Sequence, residues 1–162
     1  MERSGASVKI TQHFTVSEMQ TTSRPEKNDA PPEALINLTR LCCTVLEPLR
    51  EITGALRVTS GYRSPEVNAA IGGSQNSAHK YGRAADLQPI ASELNALDLI
   101  FAVAGSHIEF DKAILEYRGG NPWLHIQIRD VNREPRQKLL MSLEAGSFEV
   151  FNPEDPRLEK WK

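Results

Sequence analysis

The ten residues Ser77-Ala78-His79-Lys80-Tyr81-Gly82-Arg83-Ala84-Ala85-Asp86 constrain this chain more than any other stretch. They set an imidazole and a carboxylate seven residues apart, with a glycine and two alanines between them. A glycine three positions after His79 suggests a turn directly behind the ring, and the small residues let the chain come back close to its own path, where Asp86 can present an oxygen. Ala84 to Gln88 reads as a strand, which would put Asp86 on a backbone held by its neighbours. The pattern suits a metal site, although two unrelated surface residues could have the same spacing.

A second patterned stretch lies downstream. In Trp123 to Arg129 the apolar Leu124, Ile126 and Ile128 alternate with Trp123, His125, Gln127 and Arg129, so a strand there turns His125 and Gln127 away from the core. Lys112 to Tyr117 reads as its partner, joined through Arg118-Gly119-Gly120-Asn121. With that four-residue loop Tyr117 faces Pro122, Glu116 faces Trp123 and Ile114 faces His125. Glu116 and His125 then become diagonal neighbours on one face, about 5.5–8 Å apart. A slip of one residue would turn Glu116 to the opposite face, as an ordinary solvated edge residue.

The spaced residues Ser77, His79, Gly82, Ala84 and Asp86 match all five fixed positions of the zinc motif of the D-Ala-D-Ala metallopeptidases, the M15 family. The resemblance extends to Ser60-Gly61-Tyr62-Arg63-Ser64-Pro65, Asn68, Gly72-Gly73-Ser74 and Trp123-Leu124-His125, covering roughly residues 14 to 129. It resembles the zinc carboxypeptidase branch, found in cell-wall carboxypeptidases and phage endolysins, and the Asp111–Glu116 stretch is also similar to the zinc region of hedgehog signalling domains. The resemblance implies His79, Asp86 and His125 as ligands of one Zn²⁺ per chain. Three protein ligands are the number of a catalytic zinc, and two neutral imidazoles with one carboxylate leave the ion a net positive charge and a strong Lewis acid. It also implies Arg63 as a substrate-binding and catalytic arginine and Ser77 as a substrate contact. Gln127 shares the His125 face and is a further substrate-contact candidate. The acid that many relatives carry three positions before the last histidine is Pro122 in this chain. Glu116 is therefore the candidate general base, as in the hedgehog-like arrangement, where the acid lies on the preceding strand.

Composition narrows the class. At 162 residues, with 40% hydrophobic and 25% charged residues, one soluble domain spanning 13–162 is expected behind a loose arm at 1–12. A formal charge of −2 carries no nucleic-acid footprint, and no apolar run is long enough to insert in a membrane or to serve as a signal-peptide core. The chain is expected to be cytoplasmic as synthesised, monomeric, and to act on the cell wall after lysis or export. Cys42 and Cys43 are adjacent, cannot form an ordinary disulfide, and read as small buried hydrophobes. His13 reads as a surface residue and His107, which matches no motif position, as a structural one.

The expected fold is α+β: an antiparallel sheet bearing the metal site on one face, with helices flanking it. A long helix should run from Pro32 to Gly54, with Pro48 kinking it or starting a new segment, a short one from Pro65 behind a Ser64 cap, and a third behind a Ser92 cap. Lys138 to Leu143 and Phe148 to Phe151 read as a hairpin about Ala145-Gly146, with a helix over Gln137 to Glu144 as the alternative. The expected function is zinc-dependent hydrolysis of peptidoglycan stem or cross-bridge peptides next to D-alanine, of DD- or LD-type. The rival is a non-catalytic zinc-binding module of a phage or cell-wall protein; a zinc amidase of other specificity is a nearer one.

Overall fold

The computed structural model describes residues 7–162. Six strands form one sheet: β1 (Leu56–Ser60), β2 (Ala84–Pro89), β3 (Lys112–Glu116), β4 (Trp123–Gln127), β5 (Lys138–Ser142) and β6 (Glu149–Val150). Their spatial order is β1-β2-β4-β3-β5-β6. The β3–β4 hairpin has the expected register, with Glu116 opposite Trp123 and Ile114 opposite His125, but pairing stops there, so residues 117–122 form the connection and Tyr117 does not pair with Pro122.

The sheet is antiparallel except at one junction, where β5 runs parallel to β3. That junction corrects the all-antiparallel expectation, and it follows from the hairpin. With β4 already on one side of β3, the chain leaving β4 crosses the start of β3 and can pair only along its free edge, in the same direction. Residues 138–142 are strand, which settles the hairpin against the helical alternative.

One sheet face and the helices make the core. Ala85, Leu87, Ala113, Leu115, Leu124, Ile126 and Met141 are buried in one cluster with Leu38, Leu41, Cys42, Val45, Leu46 and Leu49 of the long helix. That helix comprises α2 (Pro32–Leu41), a π turn at Cys42–Leu46 and α3 (Glu47–Thr53). Pro48 has no N–H for the Thr44 carbonyl, and the backbone widens just before it, with Glu47 N–H donating to the Cys42 carbonyl five residues back. The expected kink is thus a π turn inside a continuous helical run.

Helix α5 (Ala96–Ala104) adds Leu97, Leu99, Ile100 and Val103. Its cap is Asn95 rather than Ser92: the Asn95 side chain accepts the Leu97 N–H while Asp98 accepts the N–H of Asn95, a reciprocal capping box. Helix α4 (Pro65–Ala70) starts as expected behind Ser64, whose hydroxyl accepts the Val67 N–H. Cys42 is buried, which pushes its thiol up to about 12, but Cys43 is exposed and not part of the core. His13 sits at the surface with Nδ1 2.7 Å from Glu47 Oε2. The arm expected through Gln12 lies outside the described residues up to position 6. From Val8 the chain folds into a turn closed by the Val16 N–H on the Val8 carbonyl, ahead of the short helix α1 (Val16–Met19).

Gly82 joins this scaffold to the site. It ends a single 3₁₀ turn, Ala78–Tyr81, with φ +68, and a Cβ built on it would lie 2.3 Å from the Ala34 carbonyl oxygen on α2. Both the left-handed backbone and the close approach demand glycine. Gly82→Ala should cost about 2 kcal/mol or more in denaturant melts; an unchanged midpoint would show that the turn can yield.

Candidate metal centre

The three expected ligands come together on the sheet face opposite the helices. Asp86 on β2 and His125 on β4 are directly paired residues of adjacent strands, so their side chains leave the same face side by side. His79 reaches them from the 3₁₀ turn before β2. Its Nε2 lies 3.2 Å from His125 Nδ1 and 3.3 Å from Asp86 Oδ1, and His125 Nδ1 lies 2.9 Å from the same oxygen. All three residues are buried, and among the described residues they form the group able to hold a metal ion.

The outer atom of each ligand is also held. His79 Nδ1 donates to the Gly61 carbonyl at 2.6 Å, His125 Nε2 stands 3.1 Å from Gln127 Oε1, and Asp86 Oδ2 accepts from Arg63 Nη2 at 2.7 Å. With both outer ring nitrogens protonated, Nε2 of His79, Nδ1 of His125 and Oδ1 of Asp86 are three electron-pair donors facing one another. A cation bound at about 2.0–2.1 Å in tetrahedral geometry needs donor separations of about 3.3 Å, close to those observed. The donor set, its spacing and its outer hydrogen bonds fit a zinc-type site.

Without an ion, electrostatics favour an ionised Asp86 and a neutral His79 but draw a proton toward His125. Burial favours a neutral Asp86, but His79 and His125 outweigh it and hold the carboxyl far below the usual carboxylate range. Burial likewise lowers His79, and Asp86 only partly offsets this, so that ring stays neutral. Burial acts downward on His125 too, but there the Asp86 carboxylate wins and raises it.

The candidates around the ligands line one cleft: Arg63, Ser77, Glu116, Trp123 and Gln127. Arg63 is placed by backbone pairing, since its N–H donates to the His79 carbonyl at 3.1 Å, and its Nε donates to Ser60 Oγ at 2.8 Å. Ser77 precedes the 3₁₀ turn without capping it by its side chain. Glu116 projects into the cleft from the end of β3, with one oxygen 3.6 Å from Arg118 Nη2. Burial lifts its pKa above the ordinary glutamate value, and His125 opposes that only in part. Gln127 has its amide engaged at both ends, its Nε2 donating to Asp111 Oδ2 at 2.8 Å, so it reaches the site through His125 rather than as a free polar group.

Three residues near the site were not legible as such. Asn28 is buried in what reads as a plain connection; its Nδ2 donates to the Tyr62 carbonyl at 2.9 Å and its Oδ1 accepts the Ser64 N–H at 2.7 Å, clamping the loop on both sides of Arg63. Asp111 is buried and paired with Arg136 through bonds of 2.7 and 2.6 Å. No local pattern marks these residues, because the Asn28 bonds to Tyr62 and Ser64 and the Asp111–Arg136 pair join positions 25 to 36 apart.

A search of the curated proteins finds no match for the chain. The family model described as Peptidase M15 matches residues 12–127, a span that holds the His79, Asp86 and His125 cluster, Arg63, Ser77, Glu116 and Gln127. The chain belongs to the peptidase M15 family.

Proposed function

We propose that the chain is a zinc-dependent peptidase that hydrolyses peptidoglycan stem or cross-bridge peptides at bonds next to D-alanine, acting as a monomer on the cell wall after lysis or export. The observation that carries this reading is the three-donor cluster, each donor fixed from behind, opening on a cleft that also holds a half-buried carboxylate. His79, Asp86 and His125 would hold a zinc ion, which would supply a Lewis acid able to polarise a carbonyl and acidify water.

The chain's own residues do the rest. Glu116, kept in reserve by burial as a stronger base than a free glutamate, accepts the proton of the attacking water and returns it to the leaving amine. Arg63 spends Nη2 on Asp86 and Nε on Ser60, which holds the guanidinium rigidly with Nη1 left for a substrate carboxylate or for the oxyanion of the attacked amide. Ser77, on the cleft wall two residues from His79, orients the peptide backbone.

Pro122, in the position where many relatives have an acid, favours the rival reading of a non-catalytic zinc module. A structural zinc, however, is closed by a fourth protein ligand. Among the described residues the metal-binding group has three members, and Glu116 stands on the cleft outside it. Digestion of purified peptidoglycan, with fragments identified by mass, tests the proposal. Release of D-alanine or of separated cross-bridge peptides, lost on chelation and restored by zinc, is expected; fragments unaffected by chelator, or none, would contradict it.

A further inference from the structure

Gln127, Asp111 and Arg136 form a chain of hydrogen bonds leading away from His125, and the direction of every bond in it is determined by chemistry. Asp111 is 1% exposed, and Arg136 holds it with Nε on Oδ1 at 2.7 Å and Nη2 on Oδ2 at 2.6 Å, while Arg129 Nε stands 3.5 Å from Oδ1. A carboxylate gripped by guanidinium groups can only accept. Gln127 must therefore turn its NH₂ toward Asp111 Oδ2, at 2.8 Å, which leaves its Oε1 toward His125 Nε2, at 3.1 Å. An amide oxygen can only accept as well, so the imidazole proton belongs on Nε2. Nδ1 is then bare, and it faces Asp86 and His79.

The opposite arrangement would be comfortable without this chain. If the amide of Gln127 were reversed, its NH₂ would donate to His125 Nε2, and the ring proton would move to Nδ1. From there it would donate to Asp86 Oδ1 at 2.9 Å, a good hydrogen bond that closes the site to a cation. We propose that Arg136, Asp111 and Gln127 are positioning residues that set the tautomer of the neutral His125 ring, excluding the neutral form in which its ligand nitrogen is capped by a proton. This rests on the zinc-site reading and adds to it a residue, Arg136, that lies beyond the matched residues 12–127, on the segment that crosses the start of β3. The crossing that made β5 parallel thus also locks the metal site from behind.

The test uses the whole chain in two measurements. In metal-free wild-type protein at alkaline pH, ¹⁵N spectra should show His125 protonated at Nε2, and in Asp111→Asn a population protonated at Nδ1 should appear. Zinc affinity, read by competition with a chromophoric chelator, should fall about 10- to 100-fold in Gln127→Met and in Asp111→Asn, and the double variant should be no weaker than Gln127→Met alone. A wild-type His125 protonated at Nδ1, or a Gln127→Met protein of unchanged zinc affinity, would overturn the proposal. Wild-type protein that takes up no zinc would strike instead at the function proposed above; the tautomer measurement, made without metal, decides the positioning chain in either event.

Discussion

Replacing Glu116 by glutamine is expected to lower kcat by about 10²- to 10⁴-fold while zinc stays bound, the range typical of removing a general base. Glutamine keeps the shape and loses only the ability to take the proton. The same substitution should raise the stability of the metal-free protein. Burial lifts the folded-state pKa of Glu116 above its ordinary value, with His125 opposing and Asp86 adding to the rise. The folded state therefore holds the proton more tightly than the unfolded chain. The stability this contributes is present below the ordinary glutamate pKa and is lost as pH rises through the raised value. At neutral pH an ionised Glu116 is a cost to the fold, and Glu116→Gln should melt higher than wild type without metal. Falling activity with rising stability separates a catalytic carboxylate from a structural one, whose loss would lower both. A kcat within about threefold of wild type would remove Glu116 from the mechanism.

Asp86→Ala should fail in two ways. One of three protein ligands is lost, a share of roughly 3–4 kcal/mol in sites whose total is about 10–16 kcal/mol, so zinc affinity should drop about 10²- to 10³-fold and hydrolysis should fall to background at limiting zinc. The fold should suffer independently of metal. Arg63 donates to Asp86 Oδ2 at 2.7 Å with a side chain only 16% exposed, and breaking a buried ion pair from one side typically costs about 3 kcal/mol or more. Chelator-treated Asp86→Ala should therefore melt below chelator-treated wild type. Equal melting would show that Arg63 finds another partner, and undiminished zinc uptake would remove Asp86 from the ligand set.

The parts of the site that sequence reveals are those written in short-range order. Glycine at position 82 announces the turn behind His79, and period-two alternation places His125 and Glu116 on one face once the loop length sets the hairpin register. Alternation reports which face a residue takes but not which strand lies beside it. Hence the pairing of Asp86 with His125 through the β2–β4 junction, and the parallel seat of β5, follow from no local pattern. Nor does the Asp111–Arg136 pair: a lone aspartate and an arginine 25 residues apart look like surface charges until the connection after β4 crosses β3. For Gln127 the face was legible and the bonding was not, since only Asp111 makes its amide a one-way link. Ser92 and Asn95 are both good cap residues, and only Asn95 has an acid three positions on, Asp98, that completes the box.

The proposed function needs His79, Asp86 and His125 to surround one ion and leave room for solvent. X-ray absorption on zinc-loaded protein tests it most directly. One zinc per chain is expected, with nitrogen and oxygen neighbours at about 2.0–2.1 Å, two of them imidazole, and an exchangeable solvent ligand. Sulfur scattering at about 2.3 Å, a shell closed by four protein ligands, or a folded protein that retains no zinc would contradict it.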